Sequence, residues 1–220
     1  MKKTEKNLII LNMLFAAALV CANCIAAKQL PVGKWFGQDI AITAGILCYP
    51  LTFLITDIVS EIWGKQQANR TVRFGFVSQI VVIILITIAN LLPGSDPATS
   101  AAFNSVLGSN WILVVGSLLA CILSQTFDVF LFHKIRDRQI AKHHNTKAKW
   151  IRNNVATILS QLIDSVVFYI GLIIMLKVNG ITLPFNVCVI TILSYWIIKT
   201  VIAICDTPFF YLFTRKNDKQ

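Results

Sequence analysis

Charged side chains are scarce in this chain. Only 14% of its 220 residues are Asp, Glu, Lys or Arg, where a soluble domain carries about 25%. Acidic residues number ten and histidines three. The shortage excludes an ordinary solvated globule. What fills the space is apolar: 56% of the residues are hydrophobic, gathered in runs close to the ~20 residues that cross a ~30 Å hydrocarbon core. A formal charge of +10 would point to nucleic acid if it lay on a globular surface. Here the basic residues sit in the connections between apolar runs, where they orient a chain in the bilayer, so no direct nucleic-acid partner is expected.

Cysteine is missing from the polar connections. All six, Cys21, Cys24, Cys48, Cys121, Cys188 and Cys205, lie inside apolar spans, out of reach of an oxidising compartment that would staple them. Cys21-x-x-Cys24 has redox or metal spacing, but no histidine is near it, and it reads as membrane packing. G-x-S-x-G, H-E-x-x-H and the Walker loop are absent, as is the D-G-x-x-A-R pattern. The histidines are confined to one basic connection, and the His143-His144 pair has no cysteine or carboxylate frame around it. No catalytic residue, metal ligand or cofactor is therefore expected.

The apolar runs predict six spans, near Asn7–Ala27, Asp39–Ile62, Val72–Leu92, Trp111–Phe132, Val155–Leu176 and Pro184–Phe213. The fold class is an all-α integral membrane protein, one membrane domain of six transmembrane helices over residues 1–220. The first run is flanked by lysines and Ala26-Ala27, as in a signal peptide. Its length exceeds a signal peptide's apolar core, so it reads as a retained helix. The sixth is long enough to require tilt, with a kink expected at Thr207-Pro208. Sixteen of the twenty Lys and Arg fall before span one, between spans two and three, between four and five, and after six. Lys28, Lys34 and Lys177 hold the other side, and Lys199 lies within span six. By the positive-inside rule both termini face the cytoplasm, which places the chain in a bacterial inner membrane.

Functional content is sought in the polar residues that are costly in lipid, each ionisable group at about 2.5–3.5 kcal/mol near a helix centre. Span two ends in Asp57-Ile-Val-Ser-Glu61, whose spacing of four sets both carboxylates on one helix face. Span four carries Ser124-Gln125-Thr126-Phe127-Asp128, and span five repeats the pattern as Ser160-Gln161-Leu162-Ile163-Asp164, 36 residues on. Asp164 lies about ten residues into its span, near the midplane at 1.5 Å per residue. Lys199 in span six lies at matching depth, so the two are expected to form a charge pair. Tyr195 and Asp206 flank it, and Asn23 adds a polar group in span one. This set predicts a polar binding cavity inside the bundle, with Asn23, Asp57, Glu61, Gln125, Asp128, Gln161, Asp164, Tyr195 and Lys199 as its candidate residues.

The run Tyr49-Pro50, Thr56-Asp57, Glu61, Gly64, Ala68, Arg70 resembles the motif region of the queuosine precursor transporters, also called the VUT family of vitamin uptake transporters. Asn23 before Gln29-Leu30-Pro31, Gln125-x-x-Asp128 before Arg136, Arg152-Asn153 before a Ser/Gln/Asp helix, and Tyr195-x-x-x-Lys199 with Pro208 continue the likeness over essentially the whole chain. Trp63 and Gln161 depart from it, where members carry tyrosine or phenylalanine, and asparagine. The resemblance implies import of a 7-deazaguanine, such as 7-cyano-7-deazaguanine, its aminomethyl relative preQ1 or queuine, for tRNA modification. One carboxylate, Asp128 or Asp164, would accept the guanine-type N1–H and amine together, Gln125 or Gln161 would address O6, and Lys199 would balance charge. A homodimer is plausible for so small a transporter. The competing readings are a substrate-binding subunit of an energy-coupling-factor-type importer, a carboxylate-metal intramembrane enzyme, and a scaffold.

Overall fold

A computed structural model of the chain describes residues 1–35, 37–108, 111–143, 149–178, 180 and 182–214. Its elements are α1 (Glu5–Cys24), β1 (Gln29–Trp35), β2 (Gln38–Thr43), a single 3₁₀ turn (Ala44–Leu47), α2 (Tyr49–Trp63), α3 (Lys65–Leu91), α4 (Pro97–Leu107), α5 (Trp111–His143), α6 (Lys149–Val178) and α7 (Phe185–Thr214). Six segments are long and apolar enough to cross a membrane: Glu5–Cys24, Ala44–Trp63, Lys65–Leu91, Val115–Ala141, Lys149–Val178 and Phe185–Thr214. The chain is a multi-pass helical membrane protein. The basic tail Arg215, Lys216 and Lys219, together with His144 and Lys147, lies outside the described residues.

The expected second span, Asp39–Ile62, needs correction. Its first part is not helix but strand β2 and the 3₁₀ turn, and the α-helix begins only at Tyr49. The cause is local. In Asp39-Ile40-Ala41-Ile42-Thr43 apolar and polar or small residues alternate with period two, which fits a half-buried strand. Pro50 sits in the first turn of α2, where its missing N–H costs nothing. β2 pairs antiparallel with β1, Leu30 opposite Ile42 and Gln29 opposite Thr43. The hairpin lays Ile40 and Ile42, with Ile46 behind them, against Tyr195, Ile198 and Ile202 of α7. What remains of span two as α-helix is fifteen residues, about 22 Å at 1.5 Å per residue. The 3₁₀ turn extends it, and Ala44–Trp63 together make the crossing segment of twenty residues.

Other boundaries shift because hydropathy marks where lipid ends, not where helix ends. The connection expected at His133–Asn154 is largely helical, with α5 running on to His143 and α6 starting at Lys149. The external stretch from Pro93 to Asn110 contains α4, capped by Asp96, which accepts from the Thr99 amide at 2.7 Å and the Ala98 amide at 3.4 Å. The Thr99 hydroxyl and these amides hold the Asp96 carboxyl below its ordinary pKa. α7 continues as one helix through Pro208.

The tightest packing lies at the basic end of the bundle, where Phe15, Val59, Ala68, Val129, Phe132, Ala156 and Phe210 are wholly buried. Phe132 and Phe210 meet edge to face at 6.3 Å. The turn from α2 to α3 is a single residue, Gly64, whose φ of +88° an L side chain rarely adopts. Gly75 serves close approach instead: a Cβ there would fall 2.3 Å from Cε1 of the buried Phe15 ring. Gly75→Ala should accordingly overpack the α1–α3 contact and lower stability by about 1–3 kcal/mol, read as a lower melting temperature in detergent.

Candidate functional site

A cavity of about 840 Å³ opens between α1, the start of α2, α3, α5 and α7. It reaches from Lys199 to Asn90 and Leu91 at the end of α3 and Leu107 of α4. Its wall is mostly aliphatic, with amides, hydroxyls and rings set into it. Asn23 sits on α1, Tyr49, Thr52 and Phe53 on the first turns of α2, Gln79 and Asn90 on α3, Ser117 and Gln125 on α5, and Tyr195 and Lys199 on α7. The 3₁₀ turn and the first turn of α2 thus meet the cavity at Gly45, Ile46 and Tyr49, setting a helix start beside it.

Four of the nine expected site residues line this cavity. Lys199, 6% exposed, forms the expected ion pair with Asp164 and lies 4.2 Å from the centre of the Tyr49 ring. Gln125 is clamped at both ends, accepting from Thr56 Oγ1 at 3.1 Å and donating to Thr52 Oγ1 at 3.4 Å. Asn23 accepts from Ser117 Oγ at 3.2 Å and donates to the Leu19 carbonyl at 3.1 Å. Tyr195 donates its hydroxyl to the Ala41 carbonyl at 3.0 Å, which ties α7 to the hairpin.

The other five lie behind the wall. Asp164 is wholly buried, its second oxygen accepting from Ser124 Oγ at 3.3 Å. Gln161, 1% exposed, has no partner for its Oε1 among the described residues and borders a narrow void with Lys199, Tyr49 and Pro50. One layer further in lie the buried Asp57 and Asp128, each close enough to act on the other. Thr157 donates to Asp57 at 3.3 Å and Ser160 to Asp128 at 3.0 Å. Beyond them Glu61 receives a fork from Arg152, Nη2 at 2.7 Å to one oxygen and Nε at 3.1 Å to the other. Arg152 also donates to Gln139 Oε1 at 3.0 Å, and Lys149 Nζ lies 3.3 Å from Glu61. The carboxylates thus belong to a polar seam joining α2, α5 and α6 beneath the cavity. Asp206 is half-buried on α7 and away from the cavity wall. Among the described residues no cluster of three or more His, Cys, Asp or Glu is placed to hold a metal.

A search for ionisable residues passed over span three, which has none in its middle. Its uncharged polar residues nevertheless line the cavity: Gln79, Thr87 and Asn90 recur at helical spacing on one side of α3. Gln79 is 2% exposed, and its Oε1 has no donor among the described residues. Thr52 and Thr56 were also missed, although their spacing of four with Asp57 adjacent marks a polar face of α2.

Residues 43–213 match the model of a family described as "Putative vitamin uptake transporter". A protein of Bacillus subtilis (strain 168) named "Probable queuosine precursor transporter" is 28% identical over 200 residues, 88% of this chain and 79% of that protein. No solved structure matches the chain.

Proposed function

Since the chain belongs to the vitamin uptake transporter family, we propose that it imports a queuosine precursor, a 7-deazaguanine, across the bacterial inner membrane for use in tRNA modification. The observation that supports this reading best is the cavity itself. It meets the start of α2, carries amides, hydroxyls and aromatic rings in an otherwise aliphatic wall, and is backed on one side by layers of buried polar side chains. A flat purine-like ring finds faces to stack on at Tyr49, Phe53 and Tyr195, and amide donors for its O6 at Gln125 and Asn23. With the basic connections in the cytoplasm, the cavity mouth at the ends of α3 and α4 faces outward. On this reading the Glu61–Arg152 fork lies at the inner end of the path, opposite the part of the cavity bordered by α4. The Bacillus subtilis relative carries a name of this activity, and the chain requires no cofactor under this reading.

The test is expression in a host that cannot make 7-deazaguanines, each precursor supplied at limiting concentration and queuosine measured in tRNA. At least one precursor should restore queuosine only when the protein is present. Absence of rescue by every precursor, from protein shown to be in the membrane, overturns the reading.

A further inference from the structure

We propose that Asp57 and Asp128 share a proton inside the bundle, and that this proton travels inward with the transported base. The inference rests on the transport reading above and adds what drives accumulation.

The pairing of buried charges leads there. Asp164 has Lys199 as its cation, and Glu61 has Arg152 and Lys149. Asp57 and Asp128, 2% and 0% exposed, lie close enough to act on each other, and among the described residues neither forms an ion pair with a Lys or Arg. Each accepts from one hydroxyl, Thr157 Oγ1 to Asp57 Oδ2 at 3.3 Å and Ser160 Oγ to Asp128 Oδ1 at 3.0 Å. The remaining oxygens, Asp57 Oδ1 and Asp128 Oδ2, have no donor among the described residues. Two neighbouring carboxylates out of reach of water repel, and each bare acceptor carries its own cost. A single proton relieves both: an O–H on one carboxyl donates to the other, and the pair holds one negative charge in place of two.

A third group points the same way. Ser60, three residues beyond Asp57 and on the same face of α2, is wholly buried, and its hydroxyl has no partner among the described residues. It lies one turn nearer the basic end and offers a next stop for a proton leaving the pair. The other charged and titratable groups around this layer are Glu61 on α2, His133 and Arg136 on α5, Lys149 and Arg152 on α6, and the Asp164–Lys199 pair. Arg136 donates to the Ser60 carbonyl at 3.4 Å. α1 and α3 pack on α2 through apolar residues, Phe15, Ala68 and Val72 among them.

Position ties the pair to the cavity. Gln125, on the cavity wall, is one turn from Asp128 on α5 and accepts from Thr56, the neighbour of Asp57 on α2. The junction of α2 with α5 thus carries a cavity contact and a proton site in successive layers. If these helices part at the basic end, both carboxyls meet water and ionise at neutral pH. The shared proton then leaves to the cytoplasm, and only an O–H bond is broken. Reclosure requires a proton again, taken from the cavity side, because two bare charges cannot be buried together. Base and proton thereby favour the same closed junction, which couples their affinities.

The experiment has two arms. Infrared spectra of the purified protein in lipid at neutral pH should show the carbonyl band of a protonated carboxyl group, removed in the double variant Asp57→Asn with Asp128→Asn. Each single Asn, whose amide donates where the O–H did, should leave the melting temperature nearly unchanged. The second arm needs no variant. Labelled 7-cyano-7-deazaguanine, 7-aminomethyl-7-deazaguanine and queuine are supplied singly to proteoliposomes, with the membrane potential clamped at zero and protein-free liposomes as the baseline. One pH unit, acid outside, should drive the carried compound to about a tenfold excess inside, the equilibrium for one proton per molecule. Asp128→Asn should bring no excess. A wild-type protein without the band, a band that survives in the double variant, or an excess that follows sodium and ignores pH overturns the proposal. Uptake of none of the three compounds overturns the transport reading and this inference with it; uptake without accumulation overturns only the inference.

Discussion

Asp164→Asn should abolish uptake and lower stability by about 3–5 kcal/mol, because it leaves the Lys199 ammonium buried with no counter-charge. Lys199→Met should do the same from the other side, leaving the Asp164 carboxylate fully buried and unpaired. The double variant, Asp164→Asn with Lys199→Met, is the informative protein. Replacing both ions by neutral groups removes the desolvation cost along with the attraction, so most of the lost stability should return. Uptake should not return, because Lys199 also lines the cavity and rests on the Tyr49 ring. Melting temperature in detergent and uptake, measured on all four proteins, separate the two roles. A double variant as unstable as the sum of the singles would show that the two side chains act independently, and the pair would then not be a unit.

The second large effect is expected at the other end of the seam. Arg152 is wholly buried, and its guanidinium holds both oxygens of Glu61 while also reaching Gln139. A lysine cannot reproduce that planar fork. Arg152→Lys should therefore loosen the junction of α2, α5 and α6, and Glu61→Gln should loosen it less severely by keeping one acceptor. A loss of about 3 kcal/mol from one state shifts a two-state balance by more than 100-fold. If the fork is what holds the inner end shut, Thr157→Cys on a cysteine-free background should be poorly labelled from the cytoplasmic face. The same probe should become readily labelled once Glu61→Gln is added. Equal labelling with and without Glu61→Gln would mean that the fork supports the fold and does not close the path.

The residues that announced the fold and those that announced the site were read with different success, for physical reasons. Six spans were legible because lipid demands continuous apolar runs, and no packing detail can overturn that demand. The match in depth between Asp164 and Lys199 was legible because depth follows from counting residues along helices. Direction around the helix was not. Asp57, Asp128 and Asp164 were expected on the cavity wall, yet they point into the seams between α2, α5, α6 and α7, and azimuth depends on which helices pack together. The hairpin was invisible for another reason: Ile40, Ile42 and Ile46 are as apolar in a strand as in a helix, and only the alternation from Asp39 to Thr43 distinguished them. Gln79 escaped notice because an amide carries no charge to attract attention, although leaving it bare in this setting is costly.

The polar face of α2 bears on how the chain enters the membrane in the first place. With its 3₁₀ turn the segment Ala44–Trp63 is long and apolar enough to cross, yet it carries Thr52, Thr56, Asp57 and Glu61, which are costly in lipid without partners. The groups that satisfy those side chains come from α5 and α6, Gln125, Thr157 and Arg152 among them, and these emerge from the ribosome much later. Until those partners arrive the polar face of α2 has only α1 and α3 to shelter it, so the cost of exposing it to lipid is relieved late in synthesis.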